Sequence, residues 1–190
     1  MRAPRRAANL TQMSLNVIDD VVFELLAPGA GDHDALAGVI NAAFSVYSFM
    51  HGDRTSPEGV AEEEGETGRF IVVRSTGELA ACAMIRPSLD VHSEAGTEDA
   101  MGDAATMYLG LVAVQPRLRK LGLGRRIVAA AEQAALAMGF TKMTLGTLRE
   151  MGNVEYYEVL GYQVTSEQVF EAGHWAVEMP HHFCMMVKAL

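Results

Sequence analysis

A single α/β layer structure around a mixed sheet is the fold class that this sequence predicts, on three observations. Short β-type runs alternate with segments of helical periodicity in the order β-α-α-β-β-β-α-β-α-β-β. One run, Thr106–Val114 (TMYLGLVAV), is almost continuously apolar, as in a central strand covered on both faces. No internal repeat or interdomain linker divides the 190 residues, a length suited to one core.

The elements follow in order. Val21–Leu26 (VVFELL) reads as a strand broken by Ala27–Gly31. Asp32 is placed to cap a helix whose apolar face is Leu36, Val39, Ile40, Ala43, Phe44 and Tyr47. A weaker helix is expected near Pro57–Glu64. Arg69–Arg74 and Glu78–Arg86 flank a Ser75-Thr76-Gly77 turn and read as a hairpin. Pro87–Ala105, rich in Asp, Glu, Gly and Ser, reads as a long loop, and Thr106–Val114 follows it. Gly124–Met138 is an Ala-rich helix stopped by Gly139, and Lys142–Thr147 is a strand. Val154–Leu160 is a short helix closed by Gly161, before strands at Gln163–Phe170 and Phe183–Lys188.

Composition narrows the function. A net charge of −9 argues against nucleic-acid binding through a general field, so an anionic ligand needs a local basic or amide-rich site. The two cysteines, Cys82 and Cys184, lie far apart in apolar runs and read as buried thiols, with no disulfide or metal site expected. No apolar stretch reaches the roughly 18–20 residues of a membrane span. Residues 1–16 carry Arg2, Arg5 and Arg6 without an apolar core, and read as a disordered leader or an upstream start ahead of Met13. Residues 17–190 are then the folded domain, with the cytoplasm as the default compartment.

The informative segment is Val112–Arg126, VAVQPRLRKLGLGRR. A central strand ends at Val114, Pro116 opens a turn, and Gly122 and Gly124 stand at the mouth of a helix. The first turn of a helix has amides without intrahelical partners, and the helix dipole adds positive potential there. Glycines let a bulky anion approach, so the segment suits a pyrophosphate. Arg117, Arg119, Lys120, Arg125 and Arg126 add local charge. A solvated basic helix end would not account for glycines coinciding with like charges. A Gly-Lys-Ser/Thr ending and a full GxGxxG are both missing, which sets aside the nucleotide and dinucleotide loops.

This segment resembles motif A of the GCN5-related N-acetyltransferases, V-x-P-x-x-R-G-x-G-[IL]-G. Val114, Pro116, Arg119, Gly122, Leu123 and Gly124 match, and Lys120 replaces the first glycine. The resemblance implies a single domain with a mixed, mostly antiparallel sheet of six to seven strands and about four helices. It implies acetyl-coenzyme A as cosubstrate, with no metal. The backbone of Val112, Ala113 and Val114 would pair with the pantetheine arm. The amides from Arg119 through Lys120, Leu121, Gly122 and Leu123 to Gly124 would hold the pyrophosphate, with Arg125 beside them. The family's central strand commonly carries a β-bulge, with which Gly110 is compatible.

Glu155–Val164 (EYYEVLGYQV) is similar to the family's second signature, F-Y-E-x-L-G-F. The match places Tyr157 toward the acyl site, where a phenol could protonate the departing thiolate. A packing role for Tyr157 is the alternative; Tyr156 and Tyr162 are read as packing residues. Glu150 stands where relatives carry an Asn, so Asn153 is a candidate contact to the pantetheine arm. Relatives often place a Glu at the position of Gly110, and here the base is open among His51, Asp53, His92, Glu94, Asp103, His181, His182 and a water chain. Tyr108 lines the acceptor pocket or packs. Glu62–Glu66 reads as a solvated face, or as an attractor of a cationic substrate. Trp175, Phe170 and Met179 cover the cleft or form an oligomer contact, as in a homodimer. The expected acceptor is a small-molecule or peptide amine. The competing readings are a non-catalytic acyl-coenzyme A sensor and, more remotely, another kind of phosphate-binding domain.

Overall fold

The computed structural model describes residues 21–88 and 104–190. The expected leader and base candidates His92, Glu94 and Asp103 lie outside the described residues. The strands are β1 (Val21–Leu25), β2 (Arg69–Ser75), β3 (Glu78–Pro87), β4 (Thr106–Val114), β5 (Lys142–Leu148), β6 (Gln163–Phe170) and β7 (His181–Ala189). The helices are α1 (His33–Phe44), α2 (Pro57–Glu64), α3 (Leu123–Ala137) and α4 (Val154–Val159). The seven strands form one sheet in the order β1-β2-β3-β4-β5-β7-β6. Only β4 and β5 run parallel; every other neighbouring pair is antiparallel. This is the expected mixed, mostly antiparallel architecture with four helices.

Local chemistry sets the helix ends. Asp32 Oδ1 accepts the Ala35 amide at 3.1 Å, and Leu36, Val39 and Ile40 are buried along α1. Ser56 caps α2, with Pro57 in its first turn. Glu64 departs from the expected solvated face: it is 2% exposed. Its carboxylate accepts the Gly29 amide at 3.0 Å and meets His33 Nε2 at 2.8 Å, tying α2 to the start of α1. α3 lays Leu123, Ile127, Val128, Ala131 and Ala135 on the sheet, and ends before Gly139, whose φ is +91°.

The two faces carry separate cores. Met107, Leu109, Met143, Leu145 and Met186 pack with α3, while Cys82, Met84, Leu111 and Ala113 pack with α1. Strand β4 changes sides along its length. Met107 and Leu109 belong to the α3 core, but Leu111 and Ala113 face α1, as Tyr108 does. A β-bulge causes the switch. Met84 pairs with Gly110 and Cys82 with Ala113, so Leu111 and Val112 together oppose Ala83. The left-handed residue is Leu111, with φ +47°, rather than Gly110. That conformation costs a side-chain-bearing residue about 1–2 kcal/mol, and burial of the Leu111 side chain offsets it.

Several boundaries shift by a residue or two from expectation, and two shifts have a visible cause in the pairing. β7 starts at His181, because Phe170 extends the β6 ladder to it. β3 runs to Pro87, pairing with Met107.

Candidate active site

Beyond Val114 the chain turns away from the sheet. Gln115 N–H donates to Ala80 O at 3.0 Å, Leu118 N–H to Gln115 O at 2.9 Å, and Arg119 N–H to Pro116 O at 3.3 Å. Lys120 (φ +63°) and Gly122 (φ +80°) then bend the backbone into α3. Arg126 N–H, bonded to Gly122 O at 3.1 Å, opens the helical ladder. Among the described residues, the amides of Lys120, Leu121, Gly122, Leu123, Gly124 and Arg125 have no acceptor, and no side chain caps the helix. The Arg119 amide, expected with this group, is already engaged, so the free run begins one residue later.

The basic side chains divide. Arg117 pairs with Glu78 at 2.6 Å. Arg119 donates to Ala43 O at the end of α1 and stacks 5.9 Å over Tyr47, so it braces the loop against the opposite layer. Arg126 lies 4.8 Å over Phe23. Lys120 and Arg125 are exposed and have no carboxylate partner among the described residues.

The free amides adjoin a parting in the sheet. Thr106–Tyr108 pair with Lys142–Thr144, and there the β4–β5 ladder ends. From Leu109 to Val114, β4 pairs only with β3, while β5 continues against β7. Val112, Ala113 and Val114 thus present an unused backbone edge in the middle of the sheet, able to accept an extended ligand as an added strand.

Across this parting stands α4. Tyr157 is 7% exposed, with its ring 5.2 Å from Tyr156 and 5.7 Å from Tyr162. Its hydroxyl makes no hydrogen bond to a described residue, yet it is not among the side-chain atoms sealed away without a partner. Burial pushes its pKa up, and the neighbouring phenols of Tyr156, Tyr108 and Tyr47 add to the effect. Asn153 precedes α4; its side chain leaves the helix amides unbonded and lies 3.9 Å from Met151 Sδ.

Tyr156 does more than pack. A Cβ on Gly124 would stand 3.0 Å from its hydroxyl, which places that hydroxyl over the first turn of α3. Tyr162 fits its packing assignment: it is 1% exposed and donates to Glu132 Oε1 at 3.1 Å, with Lys188 Nζ bonding both Glu132 oxygens at 2.8 Å.

The base candidates scatter. His51 pairs with Glu178 on the surface, and Asp53 is exposed. His181 is 0% exposed instead of facing an open cleft. Its Nδ1 lies 3.1 Å from Met179 O, and its Nε2 is sealed without a partner. Around it pack Phe170, His174 and Trp175, so the Trp175 cluster closes on its own hairpin end. His182 donates its amide to both oxygens of Glu150, at 3.0 and 3.1 Å, and its Nδ1 lies 2.8 Å from Oε1. Burial alone would raise the Glu150 pKa; the His182 contacts outweigh it and hold the carboxyl below the usual range.

On the α1 face, the Tyr108 ring lies over Gly110: a Cβ there would come within 2.8 Å of Tyr108 Cε1. Arg86 stacks 5.6 Å over this ring and donates to Glu63 O at 2.6 Å, while Arg54 lies 3.4 Å from the Glu63 carboxylate and 5.7 Å over Phe44. Sequence reasoning missed this cluster, because the contacts of Arg86 span more than twenty residues and leave no local pattern.

Among proteins with curated descriptions, none matches the sequence. Solved structures do match. The ribosomal-protein-S18-alanine N-acetyltransferase of Escherichia coli superposes with a TM-score of 0.68 at 16% identity, over 90% of this chain and 94% of that one. An N-acetyltransferase from Staphylococcus aureus Mu50 gives 0.65 at 11% identity, over 90% and 98%. A Bacillus subtilis acetyltransferase in complex with CoA gives 0.60 at 15% identity, over 90% and 99%. These likenesses establish the fold. The family model described as Acetyltransferase (GNAT) family matches residues 36–162, well over half of the chain, with the parted strands, the free-amide turn and α4 all inside it. The chain therefore belongs to the GNAT acetyltransferase family of acyl-CoA-dependent acyltransferases.

Proposed function

We propose that this protein transfers the acetyl group of acetyl-coenzyme A directly to a primary amine of a small molecule or peptide, with Tyr157 as general acid. The observation that carries this reading is the run of unengaged amides from Lys120 to Arg125, opening onto the unpaired edge of β4. Those amides and the dipole of α3 suit a pyrophosphate. Lys120 and Arg125 add charge, and Arg119 holds the turn in place. The edge of Val112–Val114 suits the amides of a pantetheine arm, and Asn153, at the start of α4, is the side-chain candidate to contact it.

Amine attack on the thioester forms the C–N bond, and the C–S bond breaks. Tyr157 donates its proton to the departing sulfur, and the proton shed by the attacking nitrogen passes to solvent, from which the phenolate is restored. Burial keeps the phenol protonated at neutral pH, and the same surroundings raise the proton affinity of the thiolate. Neither cysteine takes part: Cys82 is fully buried, with its thiol pushed up to about 12, and Cys184 is also buried. One observation favours the alternative of a non-catalytic acyl-coenzyme A sensor. Tyr108 covers Gly110, and no carboxylate occupies that position.

The readings separate on two measurements. Acetyl-coenzyme A at about 100 times its Kd stabilises by about 2.7 kcal/mol, whereas equimolar phosphate gives no comparable rise in Tm. Thiol release is then followed across a broad amine panel. Release supports transfer, and silence with a retained Tm shift supports the sensor.

A further inference from the structure

We infer that the acceptor carries a carboxylate a few bonds from its reacting amine, and that Arg86 reads it. This rests on the acetyl-transfer reading above.

Arg86 pairs with Tyr108 across β3 and β4, on the face shared with α1. The Tyr108 ring runs from this pair over Gly110, toward the bulge at Leu111. Tyr108 is also the last β4 residue paired with β5, so Arg86 sits one strand away from where the parting opens. A carboxylate at Arg86 and an amine beside the parting of β4 and β5 fit one small molecule.

Charge points the same way. A guanidinium stays charged at any working pH. The bonds of Arg86 to described residues are one from Nη1 to the main-chain oxygen of Glu63 and the stacking on Tyr108; its Nε is sealed without a partner. The nearby carboxylate, on Glu63, is turned to Arg54. Among the described residues, two guanidinium groups meet one carboxylate, a surplus positive charge partly walled by Phe44 and Tyr108, in a chain of net charge −9. A partly desolvated cation without an anion is unfavourable until one binds. The surplus charge and the Nη donors left over suit a carboxylate. The same surplus repels an acceptor that is only cationic, such as a diamine. The carboxylate could belong to a free amino acid or to the first side chain of a peptide.

Thiol release from acetyl-coenzyme A tests this with matched pairs. One series sets ω-amino acids against their primary amides and against diamines. The other sets peptide amides beginning with Asp against those beginning with Asn. We expect kcat/KM at least tenfold higher for the carboxylate member of one series, and the series with the larger ratio names the source. Arg86→Met brings the ratio near one, and Arg86→Lys restores part of it. Ratios near one in both series of the unmutated protein overturn the inference, whether or not the variants fold. The Tm of the coenzyme A complex is read with the same pairs, and a rise equal for acid and amide also overturns it. Silence of every amine in thiol release sinks the transfer reading alone, and the Tm pairs then decide the carboxylate site.

Discussion

Replacing Tyr157 by Phe deletes one oxygen and leaves nearly every contact of the ring. The Tyr157 ring packs against Tyr156 and Tyr162, and both contacts survive in the variant. The hydroxyl has no hydrogen-bond partner among the described residues, so its removal forfeits no bond to any of them. Losing an unpaired hydroxyl from a largely buried position changes stability by about 1 kcal/mol or less, toward greater stability. For a chain of this size that is a rise in Tm of at most about 4 °C. Catalysis responds oppositely. A positioned acid contributes about 10²–10⁴ in rate, or about 3–5 kcal/mol of barrier. The expected variant is at least as heat-stable as the parent, binds coenzyme A with similar affinity, and turns over at least a hundredfold more slowly. Melting curves, coenzyme titration and thiol release measure the three quantities. Turnover within threefold of the parent would remove Tyr157 from the chemistry. A Tm lower by several degrees would show that the hydroxyl holds a structural bond.

Other outcomes follow from the same geometry. Gly124→Val sets a side chain against the Tyr156 hydroxyl and over the free amides, so KM for acetyl-coenzyme A should rise at least tenfold; an unchanged KM argues against a phosphate there. Gly146→Ala places a Cβ 2.3 Å from Phe183 Cζ, which predicts about 1–3 kcal/mol of destabilisation from overpacking, relieved by Phe183→Leu in the double variant. The raised pKa of Tyr157 keeps the acid protonated beyond its ordinary value near 10. With an alkylamine acceptor, the rate should therefore climb with pH as free amine forms, with no falling limb below about pH 10. A downturn near pH 9 would point to a different acid.

Much of the fold was legible because its signals are local. Asp32 and Gly139 mark helix ends by capping chemistry, and the apolar run of β4 marks the sheet centre. The phosphate turn was legible because glycines and a proline are costly unless used. What escaped depends on distant partners. Glu64 looks like its acidic neighbours until Gly29 and His33 close on it from more than thirty residues away. His181 and Arg86 are equally silent, one enclosed by rings from β6 and the turn after it, the other by Tyr108 and Glu63. Gly110 was compatible with a bulge, but which residue turns left-handed was not legible; it is Leu111, packed against the α1 core.

The short β4–β5 ladder has a mechanical consequence. Three residue pairs are the whole register between one blade, β1 to β4, and the other, β5 to β7. A molecule lodged in the seam bridges both blades. Amide hydrogens at Tyr108 and Thr144, in the last pair before the parting, should exchange with solvent more slowly once the coenzyme is in place.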